Sequence, residues 1–116
     1  MESIPERTFK FAVRIVKFVQ LLPKDSAGFA ISSQLIRSGT SVGANIEEAQ
    51  NSPSRKDFIR GMTISLKECR EAHYWLKLIS EAGLIKSDEL GKLILESLEL
   101  TRILTASVKK AKTSYN

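Results

Sequence analysis

The side chains with the strongest claim to chemistry are cations at helical spacing. Arg7, Lys10, Arg14 and Lys17 recur in steps of 3, 4 and 3. That spacing puts them on one face of a helix, and Lys24 can extend the row. A second group, Arg55, Lys56 and Arg60, lies near a chain reversal, and a third, Lys109, Lys110 and Lys112, lies near the C-terminus. Clustered cations of this kind attract phosphate without reading bases. The plainer reading is solubility charge, with the last lysines matched to a helix dipole.

Nucleophilic or metal chemistry finds little material. Cys69 is the single cysteine and His73 the single histidine. This excludes an internal disulfide and a multi-cysteine metal site, and it leaves almost nothing for zinc or for histidine-based catalysis. Cys69 reads as a small apolar filler and His73 as a hydrogen-bonded, half-buried residue. Tyr74 and Trp75 read as core or interface packing ahead of base stacking. No Gly-rich phosphate loop follows a strand, and no carboxylate pair stands beside a plausible base. No catalytic residue, metal site or cofactor is expected.

A polar row runs through the second quarter of the chain: Gln34, Arg37, Ser41, Asn45 and Glu48, in steps of 3, 4, 4 and 3. Arg37 and Glu48 are about three turns apart, so they cannot pair with each other. Each needs a partner on another helix or subunit, and Glu68 and Arg102 are the candidates. The row is either a solvated face or a hydrogen-bonded layer that fixes bundle register or subunit contact.

The elements that must carry these residues are helices. Pro5 suits a first turn and Pro23 stops the helix it opens. Asp25 or Ser26 can cap a second helix, which ends before Asn51-Ser52-Pro53. Ser54 can cap a third, with Asp57 answering its backbone N–H in a shortened capping box. Gly83 is a natural C′ residue. Ser87 caps a fourth helix, with Asp88 and Glu89 at the positive end of its dipole. The expected spans are 5–22, 26–50, 54–82 and 87–112, in one domain covering 1–116. Apolar stripes agree: Ile31, Leu35, Ser38, Val42, Ile46 and Ala49; then Ile59, Met62, Leu66, Cys69, His73 and Leu76; then Leu90, Ile94, Ser97, Thr101, Leu104 and Val108. Short connections make neighbours antiparallel. The fold class is all-α, an up-down-up-down four-helix bundle.

In that topology the cations at 7, 10, 55, 56, 60, 109, 110 and 112 gather at one end, with Glu2, Glu6, Glu47, Glu48 and Asp57 as their nearby acids. The opposite end mixes Lys24, Lys77, Lys86 and Lys92 with Asp25, Glu81, Asp88 and Glu89, which cancel. Gly39 and Gly43, four apart, each cost roughly 1 kcal/mol in a helix interior. Close helix approach is the favoured explanation, and a weak or kinked helix is the alternative. Helix 1 carries Phe9, Val13 and Val16 besides Phe11, Ile15, Phe18 and Leu22. Helix 4 adds Leu93, Leu95, Leu98, Leu100 and Ile103 to its inner seam. Either the core stripe is wide or a homo-oligomer uses helices 1 and 4, and the second is preferred.

Composition sets the class. The net charge is +5, from 18 basic and 13 acidic side chains in 116 residues, which favours a polyanionic partner weakly. No apolar run approaches the length of a membrane span, and the first residues lack the apolar core of a secretory signal. The expected location is the cytoplasm.

The stretch SSQLIRSGTSVGANIEEA, Ser32 to Ala49, resembles the signature of the four-helix-bundle family named after proteins encoded in intervening sequences of bacterial 23S ribosomal RNA genes. The signature falls on Ser33, Gln34, Leu35, Arg37, Ser38, Gly39, Ser41, Val42, Asn45, Ile46, Glu48 and Ala49. Asp57-Phe58-Ile59, Leu66-Lys67-Glu68 and Tyr74-Trp75-Leu76 also resemble the family's third helix. Gly43 stands where many members have proline, and Ala49 where many have glycine. The resemblance implies a bundle that assembles as a homopentamer and implies no settled activity. The family is similar in turn to the accessory variability protein of diversity-generating retroelements. That protein is a basic pentamer that binds nucleic acid and a reverse transcriptase. The implied partners are therefore further copies of the chain, RNA or DNA, and a reverse transcriptase if one is encoded nearby. The reading is a non-enzymatic oligomeric nucleic-acid-binding or scaffolding protein; the alternative is a protein–protein adaptor.

Overall fold

The structure is a computed structural model and describes residues 2–115. Four helices follow one another: α1 (Ile4–Val19), α2 (Ser26–Gln50), α3 (Arg55–Glu81) and α4 (Asp88–Tyr115). No strand occurs among the described residues.

The ends follow from side chains that satisfy orphan backbone groups. At α1, the Ser3 hydroxyl accepts from the Glu6 N–H at 3.2 Å, and the Ser3 N–H donates to the Glu6 carboxylate at 3.2 Å. That Ser3 N–H, together with the Ser3 hydroxyl donating to the same carboxylate at 2.9 Å, holds the Glu6 carboxyl below its ordinary pKa. α1 stops at Val19, three residues earlier than expected. Leu21 and Leu22 donate to the Phe18 and Val19 carbonyls, so the chain tightens into i→i−3 turns ahead of Pro23. Asp25 caps α2 through the Gly28 N–H at 2.9 Å.

Ser54 caps α3 through the Asp57 N–H at 3.1 Å, but the Asp57 carboxylate meets the Ser54 hydroxyl at 2.9 Å instead of the backbone N–H. Aspartate is one methylene shorter than the glutamate of a full capping box, so the reciprocal bond stops at the side chain. Gly83 ends α3 with φ +66, and Leu84 donates to the Ile79 carbonyl across it at 3.2 Å. α4 runs three residues past the expected finish.

Paired contacts give the direction of each helix. Arg7 meets Glu96 and Arg14 meets Glu89 across α1 and α4. Ile15 lies against Gly39 and Thr8 against Gly43 across α1 and α2. Ser65 donates to the Val42 carbonyl at 2.8 Å, while Arg37 reaches Glu68, across α2 and α3. Cys69 touches Thr101 and His73 touches Ser97 across α3 and α4. Rising numbers on one helix meet falling numbers on its neighbour, so every adjacent pair is antiparallel. Principal extents of 48 × 21 × 21 Å leave room for helices of this length only along the long axis.

Phe11, Ile15, Phe18, Leu35, Val42, Ile46, Leu76, Leu93, Leu100 and Leu104 fill the core with no more than 1% exposure. The expected stripes supply most of it, with Ile31, Ile59, His73, Ile94 and Thr101 half-buried at its margins. The two interior glycines of α2 mark close approach. A Cβ at Gly39 would come within 3.0 Å of Ile15, and one at Gly43 within 3.2 Å of the Thr8 carbonyl oxygen.

Candidate nucleic-acid interface

Three of the four cations in the α1 row are held in ion pairs. Arg7 forks onto Glu96, Nε to Oε2 at 2.8 Å and Nη2 to Oε1 at 2.9 Å. Arg14 does the same to Glu89 at 2.9 and 3.3 Å. Lys10 pairs with Glu2. Bidentate guanidinium–carboxylate pairs are the strong form of this contact. They push the Arg7 and Arg14 pKa values up and hold the Glu89 carboxyl down. Of the α1 row only Lys17 is exposed without an ion pair.

The expected grouping at one end therefore loses Arg7 and Lys10, and α1 loses Arg14. Arg55, Lys56 and Arg60 remain, exposed and outside the ion pairs among the described residues, as do Lys109, Lys110 and Lys112. Glu47, Glu48 and Asp57 share that end. At the far end, Glu89 is taken by Arg14 and so does not offset the lysines there.

The outer face of α3 carries what the sequence reading missed. Lys56, Arg60, Thr63, Lys67, Arg70, Tyr74 and Lys77 step by 4, 3, 4, 3, 4 and 3, and all seven are exposed. None of the five cations belongs to an ion pair among the described residues. The row spans about 32 Å at the standard rise. The step rule that picks out the α1 row finds this one too. Lys77 is among the lysines expected at the opposite end, and Lys67 and Arg70 belong to none of the expected groups.

Of the polar row of α2, Arg37 alone reaches another helix among the described residues. Arg37 bonds Glu68 at 3.0 Å and also pairs with Glu71. Ser41 donates to the Arg37 carbonyl at 2.5 Å, and half-buried Asn45 donates to the Ser41 carbonyl at 2.8 Å. Gln34 is exposed. Glu48 is exposed with no side-chain partner among the described residues; the other expected partner, Arg102, lies on α4, which is not adjacent to α2, and pairs with Glu99 on its own helix at 2.6 Å. Glu48 and Arg60 line one shallow cleft of about 270 Å³ at the α2–α3 turn without forming an ion pair.

Between α3 and α4 lies a polar network. His73 Nδ1 is 2.8 Å from Ser97 Oγ, and the same hydroxyl lies 2.8 Å from the Ile94 carbonyl. In one tautomer the Nδ1 proton is donated to Ser97, whose own proton then goes to Ile94; in the other the hydroxyl donates to the ring. Burial, helped by Lys77, lowers the His73 pKa. Burial raises that of Cys69, and its thiol donates to the Ser97 carbonyl at 3.5 Å. The network satisfies buried polar groups. Among the described residues no group of three or more His, Cys, Asp or Glu could hold a metal, and no helix is long and apolar enough to cross a membrane.

Apolar residues without cover concentrate on α1 and α2. Phe9 is 60% and Phe29 59% exposed, with Val13, Val16 and Ile36 on the same side. Phe9, Ala12, Thr40, Gly43 and Ala44 line a groove of about 270 Å³ between the two helices. On α4, Leu93 and Leu100 belong to the core, leaving Leu95 and Leu98 outside. The second apolar face expected on helices 1 and 4 thus lies mainly on helices 1 and 2.

Residues 3–106 match a family model described as 23S rRNA-intervening sequence protein. A crystal structure of a protein of unknown function from the S23 ribosomal protein family of Bacteroides thetaiotaomicron is similar. The two chains are 37% identical with a TM-score of 0.85, over 92% of this chain and 99% of that one. Comparison with the curated proteins finds no match.

Proposed function

The chain belongs to the 23S rRNA-intervening sequence protein family, and from that premise we propose a self-assembling, non-enzymatic protein that holds nucleic-acid phosphates along the outer face of α3. One observation carries the reading: five cations on one exposed face, none in an ion pair among the described residues. A basic stripe along a helix is the electrostatic footprint of nucleic-acid binding. Arg55 lies at the start of α3, and Lys109, Lys110 and Lys112 lie at the same end of the bundle, so they extend the field.

Self-assembly is read from the uncovered apolar side of α1 and α2. Phe9, Val13, Val16, Phe29 and Ile36 form a surface that a monomer gains nothing by exposing. Five subunits is the number the family resemblance implies. The polyanion face on α3 and the assembly face on α1 and α2 are separate, so one need not obstruct the other.

A mobility-shift titration with structured RNA over a salt series tests the reading. Phosphate contacts on this scale lose about a hundredfold in affinity from about 50 to about 200 mM salt. A protein–protein adaptor whose charge is incidental shows no shift even at the lower salt.

A further inference from the structure

We propose that Tyr74 is a stacking platform for an unpaired base of single-stranded RNA tracking along α3. This rests on the phosphate-binding reading above and adds to it the form of the nucleic acid. Tyr74 is the one aromatic in the α3 row and is 58% exposed. Arg70 and Lys77 lie one turn to either side of it on the same face. Cations that track a backbone, with an aromatic ring between them, are the elements by which proteins hold single strands.

The ring is held in place rather than left loose. Trp75 meets it edge-on, with centroids 5.0 Å apart and planes at 78°. Trp75 Nε1 donates to Glu71 at 3.0 Å, and Glu71 is paired with Arg37 of α2. A chain of contacts therefore runs from the Tyr74 ring to the neighbouring helix. Tyr74, Lys77, Leu78 and Glu81 line a shallow pocket of about 180 Å³, room for one flat heterocycle.

Duplex bases are stacked on one another and present no free face, so the platform selects unpaired strands. Glu81 at the rim is an acceptor, and a ribose 2′-OH can donate to it where deoxyribose cannot. The sugar preference is accordingly for RNA.

The test uses the full chain and three labelled probes in fluorescence anisotropy: an adenine-only RNA strand of about a dozen nucleotides, its DNA counterpart and an RNA duplex of the same length. The expected result is tighter binding of the RNA strand than of either other probe. Tyr74→Ala weakens the RNA strand about tenfold or more and leaves the duplex unchanged, while Tyr74→Phe binds the strand like the parent. Fluorescence of Trp75, the chain's only tryptophan, is quenched by the strand in the parent and much less in Tyr74→Ala. Strand binding unchanged in Tyr74→Ala, with duplex and strand both bound, overturns the platform and leaves the phosphate reading intact. Equal affinity for the DNA strand overturns the choice of RNA. Absence of salt-dependent binding by all three probes overturns this inference and the phosphate reading together.

Discussion

Helices α1 and α3 both carry cations at steps of three and four, and the bundle treats the two rows differently. α1 faces α4, whose Glu89 and Glu96 stand about two turns apart on the side toward it and receive Arg14 and Arg7. The outer face of α3 looks away from every other helix. Glu68 and Glu71 of the same helix are taken by Arg37 of α2, while Asp57 and Glu81 flank the row at its two ends without an ion pair to it among the described residues. One row has become part of a helix seam and the other remains available. Spacing alone states that charges share a face; what stands opposite that face decides whether they stabilise the fold or attract a ligand.

The largest expected effect separates the two rows by binding. Changing Lys67, Arg70 and Lys77 together to Ala lowers RNA affinity about a hundredfold at about 50 mM salt and flattens the salt dependence. Changing Arg7, Lys10 and Arg14 together to Ala lowers affinity only about threefold, because their charge is already offset. Mobility-shift titrations of both triples measure the contrast. Equal losses would mean that total charge alone matters and that the rows do not differ.

Much of the fold is legible from residues whose effect is local. Pro5, Asp25, Ser54 and Gly83 mark helix ends because each acts on its own turn. Antiparallel packing follows from short connections, and Glu68 was among the partners foreseen for Arg37. What is not legible depends on distant residues. Nothing within the first helix reveals that Glu96 stands opposite Arg7, 89 positions away. The same blindness put the second apolar face on helix 4, where Leu93 and Leu100 turn out to fill the core. The α3 row needed no structure to be found, only the step count that was applied to α1. Its freedom from carboxylate partners is what the structure adds.

A smaller effect runs in the opposite direction. Glu89→Gln with Glu96→Gln keeps the side-chain shapes and removes the charges that hold Arg14 and Arg7. Both pairs are partly exposed, so the double change costs about 1–2 kcal/mol in total after allowance for solvent screening. The two released guanidiniums then add phosphate contacts on α1, and RNA affinity rises about threefold. Urea unfolding and the mobility-shift titration read the two changes separately. A stability loss with no gain in affinity would show that freed α1 cations still cannot reach the RNA, and would confine the binding face to α3.

The smallest effect is one of pH and belongs to α1 alone. Arg14 holds the Glu89 carboxyl below its ordinary value of 4.5 in the folded chain. The unfolded chain therefore takes up the proton first as pH falls. The contribution of this pair is fully present above the ordinary carboxylate range. It is lost as pH falls from about 4.5 through the lower folded-state value. Glu89→Gln lacks the titrating group, so it should melt below the parent at neutral pH and approach the parent's melting temperature near pH 3. Ala at 67, 70 and 77 removes no carboxylate pair, so that triple should keep the Glu89 part of the parent's acid slope and differ only through His73, whose lowered pKa loses the help of Lys77. Thermal melts of the three chains at the two pH values decide it. A gap between Glu89→Gln and the parent that stays constant with pH would show that the α1–α4 seam draws its stability from packing and not from its charges, and the electrostatic contrast between the two rows would then end at the surface.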